Sequence, residues 1–140
     1  QSTFQQTLLR VADRSLFGKP VIATNDAYRF MCESQAGEIG VEIDILVEPS
    51  RRDSGPAMAA AAAYTRELGA KAVLALASDH LVIGAEEFRA GCLEGLVAVQ
   101  QGGIVTFGIH PESPETGFGY IKAGRSEFVF ELSANAQVNA

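Results

Sequence analysis

The sequence predicts an α/β domain of the doubly wound kind. Three observations predict it. Apolar stretches of strand length alternate with stretches of helical period in the order β-α-β-loop-α-β-α-β, with short connections. The run Ala72 to Ala77 holds six apolar residues without alternation, the pattern of a parallel strand covered on both faces. A third stretch carries five consecutive alanines at 59–63, side chains small enough to let a helix lie close on a sheet.

The elements follow in order. Ser2 caps a helix over Thr3 to Ala12 whose stripe is Phe4, Leu8, Val11 and Ala12. Lys19-Pro20 leads into a short strand, Val21-Ile22-Ala23, ended by the turn and cap residues Thr24-Asn25-Asp26. A helix over Ala27 to Glu38 is expected to turn Phe30, Ser34 and Gly37 inward, with Gly40 near its end. Ile43 to Val47 is the next strand, closed by Glu48-Pro49. Residues 50–56, Ser-Arg-Arg-Asp-Ser-Gly-Pro, form a loop by composition, and Pro56 suits the first turn of a helix over Ala57 to Leu68.

Gly69 ends that helix, and the central strand Ala72 to Ala77 follows, with apolar character resuming at Leu81-Val82-Ile83. A helix over Ala85 to Gln101 carries Phe88, Cys92, Leu96 and Val99 on its inner side and stops at Gly102-Gly103. Ile104 to Ile109 is another buried strand, and 110–116 is a polar, proline-rich surface loop. Gly117 to Lys122 alternates like a strand, its two glycines marking backbone that something approaches closely. Glu127 to Leu132 is one more strand, and Ser133 to Ala140 carries no element signal.

At 140 residues with 47% hydrophobic content and a mean hydropathy of +0.11, the chain reads as one folded domain, residues 1–140. A net charge of −6 without a basic stripe excludes a nucleic-acid polymer as partner, though not a nucleotide. No apolar run approaches membrane-spanning length, so no membrane partner is expected. Cys32 and Cys92 fall on helices and read as small buried apolar residues, which favours a reducing compartment. His80 and His110 read as loop residues. The apolar run stops at Ser78-Asp79-His80. In open α/β sheets ligands collect outside the carboxyl ends of the strands, and a carboxylate there can hold Mg²⁺ against a phosphate. Asp79 has two readings on position alone: a turn cap or a metal ligand.

Several ordered motifs then resemble bacterial mannose-1-phosphate guanylyltransferases. Glu48-Pro49-Ser50-Arg51-Arg52-Asp53-Ser54-Gly55-Pro56-Ala57 resembles that family's Glu-Pro-x-x-Arg-Asn-Thr-Ala-Pro-Ala stretch. Ser78-Asp79-His80, Val105 to Ile109, and Pro114-Glu115-Thr116-Gly117-Phe118-Gly119-Tyr120-Ile121 fit in the same order, as do Phe4-Gln5-Gln6-Thr7 and Thr24-Asn25. The match runs from Ser2 to Gly124. It implies a Rossmann-like nucleotidyltransferase domain: a mainly parallel mixed sheet flanked by helices on both faces. It implies GDP-mannose and pyrophosphate made from GTP and mannose 1-phosphate, in the cytoplasm, with Mg²⁺ as cofactor. Asp79 then matches the metal carboxylate. Arg52, Asp53, Ser54, Gly55 and Pro56 match the nucleotide-facing loop, with Asp53 where Asn is usual. Glu115, Thr116 and Gly119 match the sugar-phosphate side.

Two motifs of that family are absent from the sequence. Its Gly-rich signature loop and first strand are expected before Gln1, so the chain reads as a partial domain, inactive alone. The resemblance leaves open whether a phosphomannose isomerase domain follows it. The late Phe-Val-Glu-Lys-Pro motif has only Phe128 to Ser133 as a drifted copy, with Glu131 in the Glu place and no Lys. A truncated sheet edge favours association, a homodimer in the simplest case. Two alternatives stay open: a nucleotidyltransferase for another sugar phosphate or base, and a non-catalytic module of the same fold that senses sugar nucleotides.

Overall fold

The computed structural model describes residues 1–50, 53–108, 113–114, 116–117, 119–120 and 138–139. The chain divides into two compact units, Gln1–His80 and Leu81–Ala140.

In the first unit, α1 (Thr3–Arg10) begins with a capping box. Ser2 Oγ accepts from the Gln5 backbone N–H at 3.1 Å, and Gln5 Oε1 accepts from the Ser2 N–H at 3.1 Å. Leu8 and Val11 are buried, as the stripe predicts. Gln5 and Thr7 are buried as well, which apolar periodicity alone does not predict. Gln5 explains itself through partners: its Nε2 donates to Gln35 O at 3.1 Å and to Glu38 Oε2 at 2.8 Å, tying α1 to the next helix.

Strand β1 (Val21–Asn25) pairs in parallel with β2 (Asp44–Glu48), in the register Val21↔Asp44 through Asn25↔Glu48. Asp44 N donates to Pro20 O at 2.9 Å. The ion pair of Lys19 Nζ with Asp44 Oδ1 at 2.5 Å closes the same end, and this hydrogen bond raises the Lys19 pKa. A 3₁₀ turn, Asp26–Tyr28, leads from β1 into α2 (Arg29–Glu38).

The buried face of α2 is not the one expected. Phe30 is 66% exposed, while Cys32 and Ala36 are buried and Gln35 is half-buried. The reason lies in α1, whose Gln5 reaches Gln35 and Glu38. Small residues at 32 and 36 allow that approach, and a phenyl ring at 30 stays outside under the Arg29 guanidinium, 4.4 Å from the ring centroid.

Helix α3 (Ser54–Glu67) starts three residues before the expected Ala57, so Ser54, Gly55 and Pro56 form its first turn and not a loop. Proline is tolerated there because first-turn N–H groups have no intrahelical acceptor. Ala57, Ala61, Tyr64 and Thr65 are half-buried at helical spacing, and α3 lies beside β1. No residue of α3 is fully buried, so the alanine run gives close approach with little core.

The expected central strand at Ala72–Ala77 forms no ladder among the described residues, and Val73 and Leu76 are exposed. A strand exists by its neighbours' hydrogen bonds, and among the described residues β1 and β2 pair only with each other. Leu81 and Val82 do form a strand, β3 (Leu81–Val82). It pairs antiparallel with β4 (Val138–Asn139), in a tail that carried no element signal.

In the second unit, α4 (Ala85–Gln100) buries Phe88 and half-buries Cys92, Leu96 and Val99, as expected. Gly95 is also buried, and a Cβ there would lie 3.1 Å from Phe107 Cζ and 3.3 Å from Val105 Cγ1. Residues 104–107 therefore run against α4, but without a ladder among the described residues and not as the expected strand. Glycine at 117 and threonine at 116 form a turn in place of a strand start. The strand expected at Glu127–Leu132, and Glu131 within it, lie outside the described residues.

Candidate nucleotide and metal site

The parallel register puts the carboxyl ends of β1 and β2, Asn25 and Glu48, at one edge of the pair. At that edge a recess of about 240 Å³ is lined by Phe4, Thr24, Tyr28, Met31, Cys32, Gln35 and Ser78. Ser78 and Asp79 form a turn directly after the apolar run, so Asp79 stands beside the recess with an exposed side chain. Arg10, in the last turn of α1, donates from Nη2 to His80 O at 3.4 Å, and burial lowers the pKa of its guanidinium.

The chain leaves β2 at the same edge and enters α3. Asp53 stands at the helix N-cap position with φ 61° and ψ −177°, a region that L residues other than glycine adopt at a cost. Its carboxylate makes no capping hydrogen bond. The N–H groups of Ser54 and Gly55 thus start a helix whose positive end has no side-chain cap. Asp53, Ser54, Gly55 and Pro56 are all exposed, which suits groups that meet a ligand. Arg52 lies outside the described residues.

Of the sugar-phosphate residues, Thr116 is an exposed turn residue and Gly119 is exposed. A Cβ on Gly119 would meet nothing within 4 Å, and its φ is not positive, so neither packing nor backbone requires glycine there. Tyr120 Oη donates to Ser113 O at 3.3 Å across the same loop. Glu115 lies outside the described residues.

Asn25 takes the N-cap position that the sequence indicates, but its side chain makes no capping hydrogen bond. Its Oδ1 is buried with no hydrogen-bond partner among the described residues, at the carboxyl end of β1. Gln35 in the recess wall was missed. No periodicity signal marks either one; the strand-end position of Asn25 and the Thr24-Asn25 match to the family pointed to the first. Cys32 and Cys92 are free thiols, and burial raises both pKa values.

Residues 1–133 match the family described as nucleotidyl transferase. The chain belongs to the nucleotidyl transferase family.

The xanthan biosynthesis protein XanB of Xanthomonas campestris pv. campestris (strain B100) is 42% identical over 125 residues, covering 88% of this chain and 27% of that protein. A mannose-1-phosphate guanylyltransferase of Sinorhizobium fredii (strain NBRC 101917 / NGR234) is 38% identical over 127 residues, covering 89% of this chain and 25% of that protein. The nucleotidyl transferase chain thus spans about a quarter of the length of the curated relatives it matches. The crystal structure of mannose-1-phosphate geranyltransferase from Thermus thermophilus superposes with a TM-score of 0.76 at 30% identity, covering 91% of this chain and 37% of that one. The family's α/β fold accordingly holds for this chain, including the parallel β1–β2 pair.

Proposed function

We propose that the protein carrying these residues is a mannose-1-phosphate guanylyltransferase that makes GDP-mannose and pyrophosphate from GTP and mannose 1-phosphate. The observation that carries this reading is the exposed carboxylate of Asp79, set in a turn at the edge from which the chain enters the uncapped start of α3. The motif order and the name of the Sinorhizobium fredii relative, a mannose-1-phosphate guanylyltransferase, support the choice of sugar and base.

The chemistry asks mainly for positioning and charge neutralisation, because the sugar phosphate is itself the nucleophile and attacks the α-phosphorus in line. The N–H groups of Ser54 and Gly55 hold phosphate oxygens at the positive helix end. Asp53 offers an acceptor for the N1–H and N2–H₂ edge of guanine, and Arg52 pairs with phosphate charge. Glu115, Thr116 and the bare backbone at Gly119 bind mannose hydroxyls. Asp79 fits Mg²⁺: it is a hard oxygen donor, exposed, with room for the waters and phosphates that this ion keeps. Among the described residues no group of three or more His, Cys, Asp or Glu gathers for a metal, so the fit is of one carboxylate shared with substrate phosphates. Bound there, Mg²⁺ supplies charge neutralisation to the phosphate oxygens. The same reading puts the enzyme in the cytoplasm as a homodimer. Among the described residues no helix is long and apolar enough to cross a membrane.

The test is pyrophosphate release by the full-length protein with GTP, mannose 1-phosphate and Mg²⁺, beside parallel samples with ATP, UTP or glucose 1-phosphate. Release restricted to GTP with mannose 1-phosphate is expected. Release with another pair would overturn the substrate assignment, and binding without release would favour the sensing module. Asp79→Asn should raise the Mg²⁺ concentration needed for half-maximal rate and leave the thermal midpoint within a few degrees.

A further inference from the structure

We infer that Arg10 is a positioning residue for Asp79: its guanidinium, held on α1, fixes the turn that presents the carboxylate. The inference rests on the proposed role of Asp79 as the Mg²⁺ ligand and names the group that orders it.

Three observations carry it. First, the turn has weak support from its own strand. Residues 72–77 form no ladder among the described residues, and Ser78 and Asp79 are exposed. A carboxylate on such a turn samples many positions unless something outside the segment holds the backbone. Second, Arg10 reaches across 70 residues of sequence to donate from Nη2 to His80 O, the carbonyl that ends the turn, at 3.4 Å. Arginine suits this task because its planar fork presents several donors at once, whereas lysine offers one compact ammonium. Third, Arg10 stands on an anchored base. It follows Leu8 and precedes Val11, both buried, on a helix that starts with a capping box and is tied to α2 through Gln5. Arg10 as a residue is half-buried, and its Nη2 reaches the turn from the helix.

The bond goes to a backbone carbonyl and leaves the Asp79 carboxylate open to a cation. This division of labour, with one residue ligating and a second setting its geometry, follows the general behaviour of metal sites. There, losing an outer partner weakens affinity about 10- to 100-fold.

The experiment compares Arg10→Met, Arg10→Lys, Asp79→Asn and Leu8→Ala in the full-length protein. Mn²⁺ serves as the metal probe in the presence of GTP, read by loss of the free-ion electron paramagnetic resonance signal. Amide hydrogen exchange at residues 78–80 and the thermal midpoint are read on the same samples. Arg10→Met should weaken Mn²⁺ binding about tenfold and speed exchange at 78–80, with the KM for mannose 1-phosphate within about twofold of wild type. Arg10→Lys should recover part of both effects. Leu8→Ala should lower the midpoint without moving Mn²⁺ binding. Wild-type Mn²⁺ binding in Arg10→Met, together with weak binding in Asp79→Asn, overturns this inference and leaves the proposed function standing. Unchanged binding in Asp79→Asn overturns the metal role and this inference with it. If neither Arg10 variant folds, or if Leu8→Ala weakens Mn²⁺ binding as much as Arg10→Met, Arg10 is a structural residue and the inference fails.

Discussion

Asp53 holds φ 61° and ψ −177° without a cap bond to repay that conformation. Backbone of this kind costs about 1–3 kcal/mol in any residue but glycine, and glycine brings back about 0.5–1 kcal/mol of its own through unfolded-state entropy. Asp53→Gly should therefore stabilise the protein by about 1 kcal/mol, seen as a higher thermal midpoint, while removing the acceptor proposed for guanine. A lower midpoint would mean that the carboxylate makes a stabilising contact that outweighs the strain. Cys32 allows a second expectation. Burial pushes its thiol up from the ordinary 9.0, the Glu33 charge adds to that, and a hydrogen bond with Thr24 works against it. Well below pH 9 the thiol is neutral in folded and unfolded chains alike. As pH rises past 9 the unfolded chain ionises first, so stability is lost progressively up to the raised folded value. Cys32→Ala should flatten part of that alkaline loss between pH 8 and pH 10 in thermal melts, with Cys92 in α4 accounting for a share of the remainder. An unchanged slope would place the ionising groups elsewhere.

At the scale of elements, Gly95 shows how α4 receives the run at 104–107. A methyl at 95 would meet the tips of the Phe107 and Val105 side chains at 3.1 and 3.3 Å. Both side chains are only half-buried and their backbone joins no ladder among the described residues, so they can yield a few tenths of an ångström. Gly95→Ala should then be neutral or stabilising by up to about 1 kcal/mol, the gain in helix propensity. Gly95→Val should destabilise by about 1–3 kcal/mol, since a branched side chain overfills the same gap. Equal destabilisation by both would mean that the contact is rigid. The helices were legible because their signal is local: a cap at Ser2, a stripe through Leu8 and Val11, a glycine stop. The inner face of α2 was not, since Phe30 looks like the core residue while the fit to α1 is decided by the smallness of Cys32 and Ala36. The runs at 72–77 and 104–107 were misread for a related reason. Their apolar content says they can be covered, and a ladder depends on neighbours that the run does not encode. In the candidate site, the Ser78-Asp79 turn was legible from where the apolar run stops. The buried, unpaired Oδ1 of Asn25 was not, because its partner count depends on the surrounding chain.

At the scale of the whole molecule, much apolar surface stays in contact with solvent. Ile104 is 96% exposed, and Phe30, Leu68 and Val97 are each more than half exposed. The buried apolar set among the described residues is short: Leu8, Val11, Cys32, Ala36 and Phe88. Strands β1 and β2 pair with each other alone, so each leaves one edge without a ladder among the described residues. The 140-residue chain expressed by itself should associate as its concentration rises and bind an apolar dye, measured by sedimentation and fluorescence. A monomer at every concentration, silent to the dye, would show that these faces are covered.

The buried amide of Gln5 has a consequence for recombination among relatives. It serves the Ser2 N–H, the Gln35 carbonyl and the Glu38 carboxylate at once; the first two are backbone groups that any residue supplies, so Gln5 and Glu38 are the side chains that must be inherited together. A chimera whose crossover falls between residues 5 and 38 risks parting Gln5 from the Glu38 carboxylate, and a hydrogen bond to a charged group is worth about 1.5–3 kcal/mol. Breakpoints placed after Glu38 keep the set intact, so shuffled libraries cut there should yield more folded members than libraries cut within α1, β1 or α2.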